Sequence, residues 1–223
     1  MSGTAIENYF GEFPYENNKG KIILSVAIAG KTRKFLLDTG SPTAINRDLY
    51  EELSPSIISK LPITDIGGKS DFLLFVSLNQ ISVVKTEYKD IPAVVLSENQ
   101  LLDCFGIEGF IGSNLLRNSI IQFDSKNKIL RIGNDIEKFS KGIANKASIE
   151  LDGQSSPILS IQIGTNIKEP LVFDSGAEEF YTMSKTNFKQ FKKEKDLKFL
   201  RKVLVPIPSA FRVRLKRTNP KGC

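Results

Sequence analysis

The apolar block Ile23-Leu24-Ser25-Val26-Ala27-Ile28 returns 135 residues later as Ile158-Leu159-Ser160-Ile161-Gln162-Ile163. A turn follows each copy. Leu36-Leu37-Asp38-Thr39-Gly40-Ser41 then returns at an offset of 136 as Val172-Phe173-Asp174-Ser175-Gly176-Ala177. Two copies of one strand–turn–strand–loop unit imply two related lobes, which is a far narrower choice than 223 residues alone would leave. The intervening stretch, 135–155, is polar and mixed and suits a linker.

Strand signals dominate the first copy. Lys21 to Ile28 alternates in short period and ends at Ala29-Gly30, a hairpin turn signal, with Arg33 to Leu37 as the return strand. A short helix is expected near Asn46–Glu52. A hairpin is expected from Pro62–Ile66 and Phe72–Leu78 around Gly67-Gly68, with further strands at 81–85 and 93–96. Ser113–Arg117 reads as a short helix, and Ser119–Phe123 and Ile129–Ile132 as two strands joined by a turn. So many short strands separated by turns predict an all-β barrel or sandwich.

Composition narrows the chemistry. The chain has no histidine, which excludes Ser-His and Cys-His nucleophile pairs and disfavours a zinc site. Acid–base work then falls on carboxylates, Lys or Tyr. Two cysteines, Cys104 and Cys223, form neither a disulfide framework nor a metal-ligand spacing; Cys104 reads as a small buried side chain and Cys223 as a terminal thiol. No metal and no cofactor is called for. The repeat supplies the carboxylates, Asp38 and Asp174, each following an apolar strand at the same place in its copy. Two carboxylates a few ångströms apart cannot both ionise easily. They share a proton, so one can serve as base and the other as acid around a single water. Gly40 and Gly176 would let the backbone turn and approach closely, and the Thr39 and Ser175 hydroxyls could bond across the lobes.

These residues resemble the pepsin and retropepsin aspartyl peptidases, and most of all the bacterial bilobal aspartyl protease-like proteins. Phe35 to Ser41 is similar to the family's active-site strand and loop. Gly109-Phe110-Ile111-Gly112-Ser113-Asn114-Leu115-Leu116 is similar to its hydrophobic-hydrophobic-Gly segment, and Ile120 to Leu130 to the closing hairpin of a lobe. The resemblance implies a pepsin-like acid protease barrel: one complete lobe plus the N-terminal part of a second. It implies peptide-bond hydrolysis by Asp38 and Asp174, with Thr39, Gly40, Ser41, Ser175, Gly176 and Gly112 supporting the active-site loops. It also implies a flap at Gly67-Gly68, lacking a tyrosine because none lies between Tyr50 and Tyr88. The splitting of the paired carboxyl titrations is the established property of aspartic proteases, taken over here with the resemblance.

The expected organisation is a lead at 1–19, a complete lobe at 20–134, a linker at 135–155, a partial second lobe at 156–200 and a basic tail at 201–223. A helix is expected at about 185–200. After Asp174 the sequence offers no second flap, hydrophobic-hydrophobic-Gly segment or closing hairpin, so a truncated second lobe is expected. Besides an active endopeptidase, the pattern admits a non-catalytic peptide-binding or scaffold protein, or a homodimer through the first lobe in which two Asp38 residues meet. From Lys185 onward 13 basic residues face 2 acidic ones, while the rest of the chain is mildly acidic. This end lacks interleaved aromatics and any nucleic-acid motif, so a solvated extension is preferred to a nucleic-acid contact. No apolar run is long enough to span a bilayer, and the N-terminus shows no secretory signal. The compartment stays open: cytoplasmic, or exported if the chain starts after a removed signal.

Overall fold

The computed structural model describes residues 4–5, 8–64, 70–83, 86–96, 100–139, 147–163, 167–177, 182–184, 186–189 and 210–212. In chain order the first lobe contains β1 (Thr4–Ala5), β2 (Phe10–Pro14), β3 (Glu16–Asn18), β4 (Lys21–Ile28), β5 (Lys31–Asp38), β6 (Ala44–Ile45), α1 (Arg47–Leu53), β7 (Ser56–Thr64), β8 (Ser70–Val83) and β9 (Thr86–Val95). Then come α2 (Gln100–Phe105), β10 (Gly109–Gly112), α3 (Ser113–Leu116), β11 (Ile120–Asp124) and β12 (Ile129–Gly133).

The β4–β5 hairpin turns at Ala29 and Gly30, both at positive φ (50° and 74°), the backbone that a tight two-residue turn between right-twisted strands requires. Strand β4 alternates between buried and solvent-facing residues over Leu24–Ile28, whereas β5 buries Phe35, Leu36 and Leu37 in succession as it enters the core. Helix α1 begins at Asn46, whose Oδ1 accepts from the Leu49 amide at 2.8 Å, and ends at Ser54 in the left-handed region. The hydrogen-bonded order β9-β6-β10-β5-β4-β8 returns to β9 through the β8–β9 pairing, so six strands close into a barrel. Most pairs are antiparallel; β10–β5 and β6–β9 are parallel. Leu24, Val26, Phe35, Leu37, Ile45, Val76, Ile81, Ile91 and Ile111 fill the barrel, each removed from water for about 1.5–3 kcal/mol. The architecture is all-β with few helices, as the strand pattern and the resemblance implied.

Several differences from the sequence reading have simple causes. The segment assigned to a lead contributes β2, which pairs with the closing strand β12 (Phe10 opposite Gly133), and β3, which pairs with β4. Short strands without alternation carry no local signal; the partner of β2 lies far along the chain, whereas β3 pairs with β4 across the turn at Lys19 and Gly20. The expected short strand at 72–78 and residues 81–83 of the one expected at 81–85 belong to one long strand, β8; residues 84 and 85 lie outside the described residues. Helix α2 was not anticipated. Its Cys104 is half-buried and disulfide-bonded instead of a buried free thiol.

The second copy forms a three-stranded antiparallel sheet of β13 (Ile149–Leu151), β14 (Pro157–Ile163) and β15 (Ile167–Val172). Strand β13 falls within the stretch read as linker. Two further short strands, β16 (Thr182–Ser184) and β17 (Ala210–Arg212), pair with each other, so three residues of the basic tail are in a strand. Gly67 and Gly68, and most of the helix expected at 185–200, lie outside the described residues; within that span 186–189 are helical. Among the described residues no helix is long and apolar enough to cross a membrane.

Candidate active site

Strand β5 carries the chain from the core straight to Asp38. Phe35 and Leu37 are fully buried, and Asp38 is the first half-exposed residue beyond them. Strand β10 runs parallel beside it, with Gly112 level with Asp38. The loop that follows Asp38 folds back over Gly112 so tightly that a Cβ there would collide with Pro42 and the Thr43 amide and come within 2.5 Å of the Ser41 carbonyl. The Ser41 carbonyl accepts from the Ser113 amide at 2.8 Å and lies 3.0 Å from the Ser113 hydroxyl. Buried Asn114 completes the brace: its Oδ1 accepts from the Thr43 amide at 2.7 Å and its Nδ2 donates to the Pro92 carbonyl at 2.8 Å. Gly112 donates to Thr43 Oγ1 at 3.2 Å.

The second copy brings its own loop to the same point. A Cβ placed on Gly40 would meet Asp174 Cγ at 2.5 Å, and one on Gly176 would meet Asp38 Cγ at 2.5 Å. Each glycine thus lies against the other copy's carboxylate. The local hydrogen bonds repeat as the sequence does: the Gly40 amide donates to Asp38 Oδ1 at 3.0 Å, the Gly176 amide to Asp174 Oδ1 at 2.7 Å. Thr39 and Ser175 clasp the two loops, each amide donating to the other's hydroxyl oxygen. Their hydroxyls donate onward to the Phe173 and Leu37 carbonyls at 2.6 and 2.8 Å.

The environments of the two carboxylates differ. Burial pushes the Asp38 pKa up, the neighbouring Asp174 carboxylate pushes it further, and the Gly40 amide and Ser41 hydroxyl partly offset the rise. Asp174 is exposed, and so is Phe173 beside it, 44% accessible and in ring contact with Phe123 at 6.1 Å. A pair that holds one proton between an enclosed and an open carboxylate can supply one acid and one base.

Residues 24–115 match the family model described as aspartyl protease. That stretch of the first lobe is similar to aspartyl proteases. The match takes in the Asp38 loop, the Gly109–Gly112 strand and α3 up to Leu115. A solved structure, that of a retropepsin-like aspartic protease from Rickettsia conorii, is similar at 20% identity, covering 57% of this chain and 94% of that one with a TM-score of 0.42. No curated protein matches the chain. The matched family model points to a peptidase, whose class of substrate is peptides.

Three residues that organise the two Asp loops were not singled out from the sequence. Ser113 and Asn114 sat inside a recognised segment, but their hydrogen bonds run to Ser41, Thr43 and Pro92, distant in sequence. Lys21 is buried at 6% accessibility and donates to the Gly176 carbonyl. A lysine opening an apolar strand, where the second copy has Ser156, was the available signal.

Proposed function

We propose that the chain is an aspartic endopeptidase that hydrolyses peptide bonds of an extended substrate with a water held between Asp38 and Asp174. The observation that carries this reading is the approach of the two carboxylates across mirrored loops, each against the other loop's glycine. Asp38, whose pKa is raised by burial and by the neighbouring carboxylate, is the acid of the pair and Asp174 the base. Water attacks the scissile carbonyl carbon as its proton passes to Asp174, while Asp38 gives its proton to the carbonyl oxygen. As the resulting gem-diol collapses and the C–N bond breaks, Asp38 takes back a proton from one gem-diol hydroxyl and Asp174 passes the proton it took from water to the departing nitrogen. Thr39 and Ser175 keep the carboxylates in register, and Gly112 and Ser41 support the Asp38 loop. By the same resemblance, Gly67 and Gly68, between β7 and β8 in the sequence, are the proposed flap. The proposed boundaries are a first lobe at 20–134 and a partial second lobe at 156–200.

The test is cleavage of a peptide library by the full 223-residue chain from pH 3 to 8, beside Asp38→Asn. Cleavage that disappears in the variant supports the reading; cleavage that survives it overturns it. A second reading, a non-catalytic peptide-binding protein, is favoured by one observation. The Asp38 loop is braced by β10 and α3, whereas Asp174 and Phe173 are exposed. It predicts a parent chain that binds the library peptides and cleaves none.

A further inference from the structure

We propose that Lys21 is the positioning residue of the Asp174 loop, anchoring it from the opposite copy; this inference rests on the peptidase reading above. Strand β4 pairs with β5 with Ile23 opposite Leu36. Lys21 opens β4 two residues before Ile23, and Asp38 ends β5 two residues after Leu36. The Lys21 ammonium leaves the first copy and donates to the carbonyl of Gly176. The amide of that same Gly176 donates to Asp174 Oδ1, and its Cα side is pressed against the Asp38 carboxylate. Holding Gly176 at its carbonyl therefore fixes a residue that touches both carboxylates.

The two loops need different supports. The Asp38 loop is tied down by Gly112, Ser113 and Asn114. Among the described residues the second copy has no strand that threads behind Asp174 as β10 does behind Asp38. Repeat symmetry does not supply the anchor either. The position matching Lys21 is Ser156, whose amide donates to Asp152 within its own turn. Lys21 is thus an asymmetric addition at the place where the second loop is less braced.

Energetics argue that the charge has a task. Burying an ammonium costs several kcal/mol of hydration unless its partners compensate, and replacing a buried ion by an apolar side chain of like size is often neutral or stabilising. A purely structural need at this site would be met more cheaply by Met or Leu. A cation at this place instead offers a strong hydrogen bond to the Gly176 carbonyl.

The experiment compares the full chain with Lys21→Met, Lys21→Gln and Lys21→Arg by NMR amide exchange and by kinetics. Lys21→Gln keeps a neutral donor and guards against a failure of Lys21→Met to fold. The expected result is exchange at the Gly176 amide faster by about tenfold or more in the two neutral variants, with the Gly40 amide unchanged. Activity falls by about tenfold or more in kcat while KM holds within about twofold, the pattern of a displaced catalytic group. Lys21→Arg restores most of both. Unchanged exchange at Gly176, or equal acceleration at Gly40 and Gly176, overturns the proposal, because the effect is then absent or a general loosening. If the parent chain cleaves nothing, the peptidase reading fails by itself, while the exchange comparison still decides whether Lys21 anchors the loop.

Discussion

The amides of Thr39 and Ser175 each donate to the other residue's hydroxyl, at 3.1 and 3.0 Å, so two side chains 136 positions apart satisfy one another's backbone. Because each hydroxyl also donates onward, to Phe173 and Leu37, neither can be removed without stranding two backbone groups of the opposite copy. Thr39→Val preserves shape and deletes the hydroxyl; Ser175→Ala does the same from the other side. Each is expected to cost about 1–3 kcal/mol in urea unfolding, the usual penalty for unpaired buried polar groups. The double variant is expected to cost less than the sum by about 1–2 kcal/mol, the signature of a shared interaction. Strict additivity would mean that the clasp contributes nothing as a unit.

Gly40→Ala and Gly176→Ala test the approach of the carboxylates without touching a titratable group. Either methyl would sit 2.5 Å from the opposite Asp Cγ, far inside van der Waals contact. The loops must part, and a shift of about 1 Å at a catalytic group costs roughly a hundredfold in rate. Each variant is expected to fold, by near-ultraviolet circular dichroism, and to lose activity to that degree. Activity within a few-fold of the parent would show that the two loops do not meet this closely.

Much of this arrangement was legible in the sequence, because the repeat marks both Asp loops and strong alternation marks β4. The Gly109–Gly112 strand was legible only through its resemblance to a family segment. Other parts could not be read because their cause is remote pairing. Phe10–Pro14 becomes a strand only through β12, some 120 residues on, and Lys21 acquires its partner only when the second copy folds against the first. Charge pairing is similarly silent: Arg33 on β5 meets Glu52 of α1 and Glu108 before β10, which no local pattern announces.

The pH dependence of stability should have two opposed contributions. Asp38 has a folded pKa raised by burial and by Asp174. The folded chain therefore holds that proton to higher pH than the unfolded chain. Its stabilising contribution is complete below the ordinary carboxyl value and is lost as pH rises through the raised one. Asp38→Asn should then gain in Tm relative to the parent between pH 3 and pH 7, measured by calorimetry. A Tm difference that does not change with pH would contradict the raised pKa.

Glu52 behaves with the opposite sign. Lys31 and Arg33 hold its carboxyl below the ordinary value, so its contribution is present above that value and is lost as pH falls through the depressed one. Glu52→Gln should lower Tm at pH 7 and leave it unchanged at pH 2. An equal loss at both pH values would assign the effect to packing.

The central claim, that Asp38 and Asp174 of one chain form the catalytic pair, is tested most directly by the specific activity of Asp174→Asn across a range of protein concentrations. An intramolecular pair predicts activity reduced to the background of Asp38→Asn at every concentration, while parent activity per molecule stays constant on dilution. Activity retained in Asp174→Asn, and rising with concentration, would contradict the account and show instead that two copies of Asp38 meet across a dimer of first lobes.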